Sequence, residues 1–245
     1  MEKVRLSVVS YLNSKPFAYG IENSVLRKDI SVTYDIPALC AEKLITNKAD
    51  VGLVPVAVIP LINDAVIISD YCIAADGKVD SVLLLSNKPV KQLKRIVLDS
   101  ESRTSVQLAR LLAREYWNIS PEWISESSES ILEAEDETGA VVIGDRALKV
   151  KNQYKYCYDL AEEWYKHTSL PFVFACWVAN KKINADFINA FNDSLRIGIE
   201  NIENVIVEEK LNEVQAIYLR KTIVYHLNDK KREAIALFLK KIKSN

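Results

Sequence analysis

Hydroxyl and guanidinium groups are concentrated in the run SRTS, residues 102–105, which follows an apolar segment at residues 95–99. Thr104 and Gln107 have the spacing of a capping box, which predicts a helix that begins with Thr104 as its cap. Donor groups at the positive end of a helix dipole are suited to binding a carboxylate. Serine and threonine can also serve there only as caps, so the pattern leaves capping and anion binding open.

A second polar group, Ser10, Tyr11 and Asn13, ends the first apolar segment of the chain. The surrounding stretch VVSYLNSKPF, residues 8–17, contains no histidine, carboxylate or cysteine. It offers hydrogen-bond donors and an aromatic ring, but no side chain that readily acts as a general base. The stretch is therefore either a simple turn or a ligand site whose chemistry does not depend on a base from this loop.

Three further residues are candidates for a site. Asp145 follows an apolar run at residues 140–143 and is either a helix N-cap or an acceptor for a ligand hydroxyl. Ser81 lies in a predicted strand, where the alternation of side chains decides whether its hydroxyl faces a ligand. His167 is either a proton carrier or a structural residue.

The elements that must position these residues alternate between strand and helix. Apolar, β-branched segments at residues 3–10, 30–36 and 50–56 predict strands, and Pro16 and Pro37 can each open a helix at its first position. This alternation indicates an α/β fold with parallel strands. Ligands of such folds bind beyond the carboxyl ends of the strands, which is where the polar groups lie.

A second strand–helix unit follows, and a helical tail is predicted from residue 184 to the end. The unit includes strands at residues 94–100, 140–145 and 172–180, and helices at 104–117 and 128–135. We therefore predict two α/β lobes, with the tail packed on the first lobe. The expected ranges are residues 1–86 plus 175–245 for lobe 1 and residues 87–174 for lobe 2.

Composition excludes several classes of function. The 32 basic and 33 acidic residues give a net charge of −1, so bulk charge indicates no nucleic-acid or membrane partner. Six glycines without a G-x-G-x-x-G or P-loop pattern indicate no nucleotide cofactor, and four scattered cysteines with two histidines indicate no metal site. The first residues do not form a signal peptide, so a cytoplasmic location is expected. A homodimer is possible.

Six motifs, in their order and spacing, resemble those of the chorismate dehydratases of the futalosine route to menaquinone. They are VSYLNSKPF, DVGLVPV, SVLLLS, LDSESRTSVQL, IGD and LPFVFACW. The resemblance covers about the first three quarters of the chain and is loose in the helical tail. Two positions depart from the family pattern: Ala38 stands where serine is frequent, and Ser169 where glycine is usual.

This resemblance implies a two-lobed fold like that of the type 2 periplasmic binding proteins, with the ligand cleft between the lobes and a helical C-terminal tail. It also implies a hydro-lyase without metal or cofactor that converts chorismate to 3-[(1-carboxyvinyl)oxy]benzoate and water. Asn13 and Ser10 are then expected to be catalytic. The expected substrate-binding residues are Tyr11, Ser81, Ser102, Arg103, Thr104, Ser105 and Asp145.

Alternatives remain open at this stage. The sister enzyme dihydroxynaphthoate synthase shares the fold, and a non-catalytic cytoplasmic module that binds a small carboxylate would suit the same architecture. For a dehydratase, the proton acceptor is either the enolpyruvyl carboxylate of the substrate itself or one of two side chains, Asp145 and His167.

Overall fold

The computed structural model of the chain describes residues 3–99, 102–126 and 137–243. The strands are β1 (Val4–Val9), β2 (Ile30–Asp35), β3 (Val51–Pro55), β4 (Val66–Ala75), β5 (Val82–Ser86), β6 (Arg95–Asp99), β7 (Glu122–Glu126), β8 (Thr138–Ile143), β9 (Tyr156–Asp159), β10 (Phe172–Ala179) and β11 (Val224–His226). The helices are α1 (Lys15–Glu22), α2 (Pro37–Ile45), α3 (Arg103–Leu112), α4 (Gly144–Val150), α5 (Leu160–Thr168), α6 (Ala185–Glu200), α7 (Ile202–Glu208), α8 (Glu213–Ile217) and α9 (Asp229–Lys243). The predicted helix at residues 128–135 lies outside the described residues.

The chain divides into two units, each formed by discontinuous segments. Unit 1 comprises residues 1–74 and 173–229, and unit 2 comprises residues 75–172 and 230–245. The first crossing therefore lies at the end of β4, whereas the range predicted for lobe 1 continued to residue 86. β5, which follows Ser81, lies wholly in unit 2.

Within the described residues, unit 1 contains a sheet of six strands in the order β11-β4-β10-β3-β1-β2. β1 is parallel to both β2 and β3, so the carboxyl ends of these three strands meet at one edge. Pro37 is the first residue of α2, as predicted from the missing N–H of proline, whereas Pro16 is the second residue of α1.

Aromatic side chains fill the core of unit 1. The ring of Phe17 in α1 lies 5.6 Å from that of Trp177 and 5.2 Å from that of Tyr225, both in edge contacts. Phe191 of α6 packs against Trp177 at 5.0 Å. All of these side chains are buried, so the helix that follows the Ser10–Asn13 loop is fixed to the sheet by its core contacts.

Two glycines bring α1 and α6 into close contact. A Cβ atom on Gly20 would lie 2.0 Å from the carbonyl oxygen of Ser194, and one on Gly198 would lie 1.8 Å from that of Pro16. Only glycine therefore permits this backbone approach. The contact fixes α1, and with it the loop that precedes α1.

The described strands of unit 2 form a five-stranded sheet in the order β7-β6-β8-β5-β9. β6 is parallel to β7 and β8, whereas β5 is antiparallel to β8 and β9. The carboxyl ends of β6, β8 and β9 and the beginning of β5 therefore share one edge of the sheet.

The C-terminal tail differs from the prediction in two ways. It is not helical throughout, because Val224–His226 form strand β11, which pairs with β4. The last helix, α9, has its core contacts in unit 2, where the Phe238 ring lies 5.1 Å from Phe172 and 6.0 Å from Trp164. Apolar spacing identified a buried helix but carried no information on which sheet it covers.

Candidate functional site

The loop after β1 is a rigid turn with three accessible polar side chains. Ser14 is buried, and its hydroxyl donates to the carbonyl oxygens of Val9 at 2.5 Å and Tyr11 at 2.8 Å. Ser10 is exposed, and Tyr11 and Asn13 are half-buried. Ser14 therefore supports the turn, while the other three side chains are at least partly exposed to solvent.

A buried carboxylate stabilises the strand ends beneath this loop. Asp35 accepts hydrogen bonds from Ser7 at 2.7 Å, Thr33 at 2.7 Å and Lys43 at 2.6 Å. Burial alone would raise the pKa of Asp35, but these donors, with Lys43 the strongest, hold it below its ordinary value. The backbone oxygen of Asp35 accepts from Ser10 N–H at 2.9 Å, so the network fixes the start of the loop.

Two tyrosines from the C-terminal segment hold Asn13. The amide nitrogen of Asn13 lies 3.5 Å from the hydroxyl of Tyr218, and the hydroxyl of Tyr225 donates to the backbone oxygen of Asn13 at 3.0 Å. Burial raises the pKa of Tyr225 well above its ordinary value, so this hydroxyl keeps its proton. Neither tyrosine was predicted as a site residue, because apolar spacing predicted regular helix for this segment.

Helix α3 of unit 2 begins two residues earlier than its capping-box pattern indicates. Its N-cap is Ser102, whose hydroxyl oxygen accepts from the backbone N–H of Ser105 at 3.3 Å and lies 2.7 Å from the Ser105 hydroxyl. Thr104 is already helical and buried, so the prediction of Thr104 as the cap was wrong. Ser102 lies three residues before Ser105, and this spacing lets the side chain of an N-cap reach the backbone N–H of the third helical residue.

In unit 2, Ser81 and Asp145 lie at the same edge of the sheet as the start of α3. Ser81 precedes β5, and its backbone oxygen accepts from Gly144 N–H at 2.8 Å. Asp145, exposed in the first turn of α4, follows directly. Because β6 and β8 are parallel neighbours, Ser102 at the end of β6 lies on the same side of the sheet.

Asp159 supports this edge and was not identified from the sequence. One carboxylate oxygen accepts from the backbone N–H groups of Val79 at 2.9 Å and Asp80 at 2.6 Å, immediately before Ser81. The other caps α5 by accepting from Ala161 and Glu162. A D-L-A-E sequence after a strand is a detectable N-cap signal, but the contact with residues 79–80 is long-range and gives no local signal.

His167 lies apart from the predicted binding residues of unit 2. Its Nε2 is 3.7 Å from a carboxylate oxygen of Glu115, and its ring contacts Tyr116 at 5.4 Å. Glu115 lies in the π-helical segment Ala113–Trp117 that continues α3. With a rise of 1.5 Å per residue, Ser102 and Glu115 are about 20 Å apart along this helix. The structure does not bring His167 to the start of α3.

In residues 3–99, 102–126 and 137–243, no group of three or more histidine, cysteine, aspartate or glutamate side chains could hold a metal ion. No helix within the described ranges has the length and hydrophobicity that a membrane crossing requires.

Solved structures define the class of fold. A crystal structure of a protein from Archaeoglobus fulgidus superposes with a TM-score of 0.73 at 17% identity, covering 99% of this chain and 96% of that chain. A Candida albicans gene product described as having the generic periplasmic binding protein fold superposes with a TM-score of 0.57 at 14% identity, covering 100% and 96%. The chain has the periplasmic-binding-protein-like fold, as predicted.

Sequence comparison identifies the family within this class. The chain belongs to the menaquinone biosynthesis family, whose model matches residues 4–244. A curated relative, chorismate dehydratase of Thermus thermophilus, is 26% identical over 225 residues, which cover 83% of this chain and 80% of the relative. The family match includes the C-terminal segment, where the resemblance from motifs was loose.

Proposed function

We propose that the protein is a chorismate dehydratase, a lyase that converts chorismate to 3-[(1-carboxyvinyl)oxy]benzoate and water. The observation that carries the proposal is the similarity over most of the chain to the T. thermophilus enzyme of that name. The polar groups at the strand ends of both units support it, since they provide donors suited to a small dianion. A biosynthetic enzyme of this kind acts on a soluble small molecule, and a cytoplasmic location remains part of the proposal.

The start of α3 is proposed to bind a carboxylate of chorismate. The hydroxyls of Ser102 and Ser105 and the backbone N–H groups of the first turn lie at the positive end of the helix dipole, which favours an anion there. Thr104 is buried in the same turn, and the exposed Arg103 can add a charged donor. Ser81 and Asp145 on the same edge are proposed to bind the rest of the substrate.

The loop after β1 is proposed to assist departure of the hydroxyl group. Chorismate carries this hydroxyl on the ring carbon next to the enolpyruvyl ether, and its loss together with a ring proton makes the ring aromatic. Asn13 can donate to the departing oxygen, Ser10 is an exposed hydroxyl beside it in sequence, and Tyr11 can flank the flat ring. Much of the driving force is in the substrate, so positioning is the main task of the protein.

The enolpyruvyl carboxylate of chorismate is proposed to accept the ring proton. The ring carbon that bears the ether loses its proton to this carboxylate, and the C–O bond to the hydroxyl breaks. The departing hydroxide takes up that proton from the resulting carboxylic acid, so that water leaves and the carboxylate is regenerated. No residue from 10 to 14 is a titratable base near neutral pH. His167 faces Glu115, which lies about 20 Å along the helix from Ser102, and this favours substrate assistance over this histidine.

Incubation of the purified protein with chorismate tests the reaction directly. We expect the aromatic product to appear, detected by absorbance and identified by mass, with one water lost per product. A folded protein that binds chorismate without product would instead be a carboxylate-binding module. Absence of both binding and product would reject chorismate as the ligand.

Two variants test the proton acceptor. Asp145→Asn and His167→Gln are each expected to keep kcat within about threefold of wild type, because neither removes the proposed base. Asn13→Ala is the matched comparison and should lower kcat by about 100-fold or more with a smaller change in KM. A loss of several orders of magnitude in either of the first two variants, with binding retained, would reject substrate assistance.

A further inference from the structure

Asn13 has its side chain beside one tyrosine and its backbone bound by another. Tyr218 faces the amide nitrogen at 3.5 Å, while Tyr225 donates to the backbone oxygen at 3.0 Å. Both tyrosines are buried. The two contacts come from one C-terminal stretch, so this stretch controls the position of an expected catalytic side chain.

The backbone around Tyr218 is itself unusual. Residues Tyr218–Thr222 form a π-helical turn at the end of α8, closed by a hydrogen bond from Ile223 N–H to the Tyr218 carbonyl oxygen at 3.1 Å. Such turns are rare and occur frequently at functional sites because they redirect a side chain from the regular helical position. Here the turn begins at the residue whose hydroxyl meets Asn13.

We propose that Tyr218 is a positioning residue that fixes the amide plane of Asn13 for catalysis. This inference rests on the proposed function. Rotation about the last torsion of an asparagine side chain is otherwise only weakly restricted. Because the amide group is planar, fixing one N–H also fixes the directions of the second N–H and of the carbonyl oxygen. These two groups then have a defined direction towards substrate. Tyr218 acts through Asn13.

The distance of 3.5 Å is at the long end for a hydrogen bond, and such contacts in catalytic sites tighten when substrate binds. The hydroxyl of Tyr218 therefore contributes most in the reacting complex. Its loss should lower kcat more than it raises KM, since an amide free to rotate can still occupy the site but donates less effectively in the transition state.

The test is a double-mutant cycle of Tyr218→Phe and Asn13→Ala. Tyr218→Phe is expected to lower kcat by about 10-fold to 100-fold, with KM within about threefold of wild type. In the Asn13→Ala background the same change should have little further effect, because the group it positions is gone. An equal loss of kcat in both backgrounds, or no loss in the single variant, would overturn the assignment.

Tyr19→Phe is a matched control. The hydroxyl of Tyr19 accepts from the amide nitrogen of Asn204 at 3.3 Å, so this change removes the same kind of contact elsewhere in unit 1. It should leave kcat unchanged. A Tyr218→Phe chain that fails to fold would also reject the proposal, because the hydroxyl would then support the fold rather than Asn13.

A second readout does not depend on turnover. The side-chain NH₂ signal of Asn13 in a ¹⁵N-correlated NMR spectrum, identified by its loss in Asn13→Ala, should shift in Tyr218→Phe and stay in place in Tyr19→Phe. An unchanged signal in Tyr218→Phe would reject the contact. Wild-type protein without product from chorismate would reject the dehydratase, whereas active wild type with an equally active Tyr218→Phe variant would reject only the role of Tyr218.

Discussion

Ser102 combines two possible tasks in one hydroxyl. It caps α3 by accepting from Ser105 N–H, and the same position is proposed to receive a carboxylate of the substrate. Capping requires an acceptor, whereas binding a carboxylate requires donors and the absence of negative charge. A substitution that improves the first property and damages the second therefore separates the two tasks.

Ser102→Asp is that substitution. Aspartate is a good N-cap and complements the helix dipole, so the free energy of unfolding should be equal to or above that of wild type. The carboxylate repels the chorismate dianion, and kcat/KM should fall by about tenfold or more at low salt, with a smaller loss at high salt because added ions screen the repulsion. Steady-state kinetics at two ionic strengths and urea unfolding measure both effects.

Asn184→Asp is the control for this change. Asn184 caps α6 in unit 1 by accepting from Asp186 N–H, so the substitution adds the same charge at another helix start. Its kcat/KM should match that of wild type. If Ser102→Asp also matched wild type, Ser102 would be a cap without a role in binding.

For single residues, the sequence predicted the place in the fold of those with a local signature and gave no signal for contacts between distant residues. The SRTS run and the Ser10–Asn13 loop follow strands, so the strand pattern alone indicated the edge at which they lie. Tyr218 and Asp159 depend on contacts with residues far away in the chain, Asn13 and Val79. Periodicity does not contain such pairings.

Helices and strands were predictable where the sequence has a clear apolar pattern or a proline near a helix start. Pro37 opens α2, Pro16 lies in the first turn of α1, and continuous apolar runs predicted β1, β3 and β8. The strand β11 was missed because its three residues lie between helical segments and follow a π-helical turn. Pairing with β4 therefore overrides a local preference for helix.

Glu115 of unit 2 makes charged contacts with its own helical segment and with helices α5 and α9. It accepts from Lys241 of α9, pairs with Arg114 beside it, and faces His167 of α5 at 3.7 Å. Burial alone would raise its pKa, but the bonds from Lys241 and Arg114 lower it from 4.5 to about 2. The folded state therefore binds fewer protons than the unfolded state between these two values, and the stabilisation is present above pH 4.5 and lost as pH falls towards 2.

Glu115→Gln should remove this contribution. At neutral pH we expect the free energy of unfolding to fall by about 1–2 kcal/mol, after allowance for the partial exposure of the pair. The difference from wild type should shrink as pH falls below 4.5, because wild type then loses the same charge. Urea unfolding between about pH 7 and pH 3 measures the difference.

The exposed pair of Arg196 and Glu200 on α6 provides a comparison. Glu200→Gln should leave the free energy of unfolding close to that of wild type, because solvent and salt screen an exposed ion pair. A difference between Glu115→Gln and wild type that stayed constant down to pH 3 would show that packing, and not charge, accounts for the loss.

The chain divides into two units, and the C-terminal segment contributes helices to both of them. Apolar spacing predicted helices here but assigned all of residues 175–245 to the first lobe. In the structure, Phe191 lies in the core of unit 1 against Trp177, whereas Phe238 packs on Trp164 and Phe172 in unit 2. Two aromatic residues of the same predicted region therefore serve different units.

Phe238→Ala and Phe191→Ala test this division as a reciprocal pair. Each side chain is almost fully buried, so each substitution should cost about 3–5 kcal/mol through lost contacts and a cavity. Amide hydrogen exchange locates the loss, because local opening is faster where the core is weakened. Phe238→Ala should speed exchange in β5, β6 and β8, and Phe191→Ala should speed it in β1 and β3.

The pair discriminates because the two substitutions are chemically identical and differ only in the core that they affect. Faster exchange in β1 and β3 of Phe238→Ala, with β5, β6 and β8 still protected, would mean that the last helix stabilises unit 1, as the range 175–245 predicted. Equal acceleration everywhere in both variants would mean that the chain opens as one cooperative unit. Acceleration confined to the unit that lost the ring would establish two cores, with α9 as part of the second.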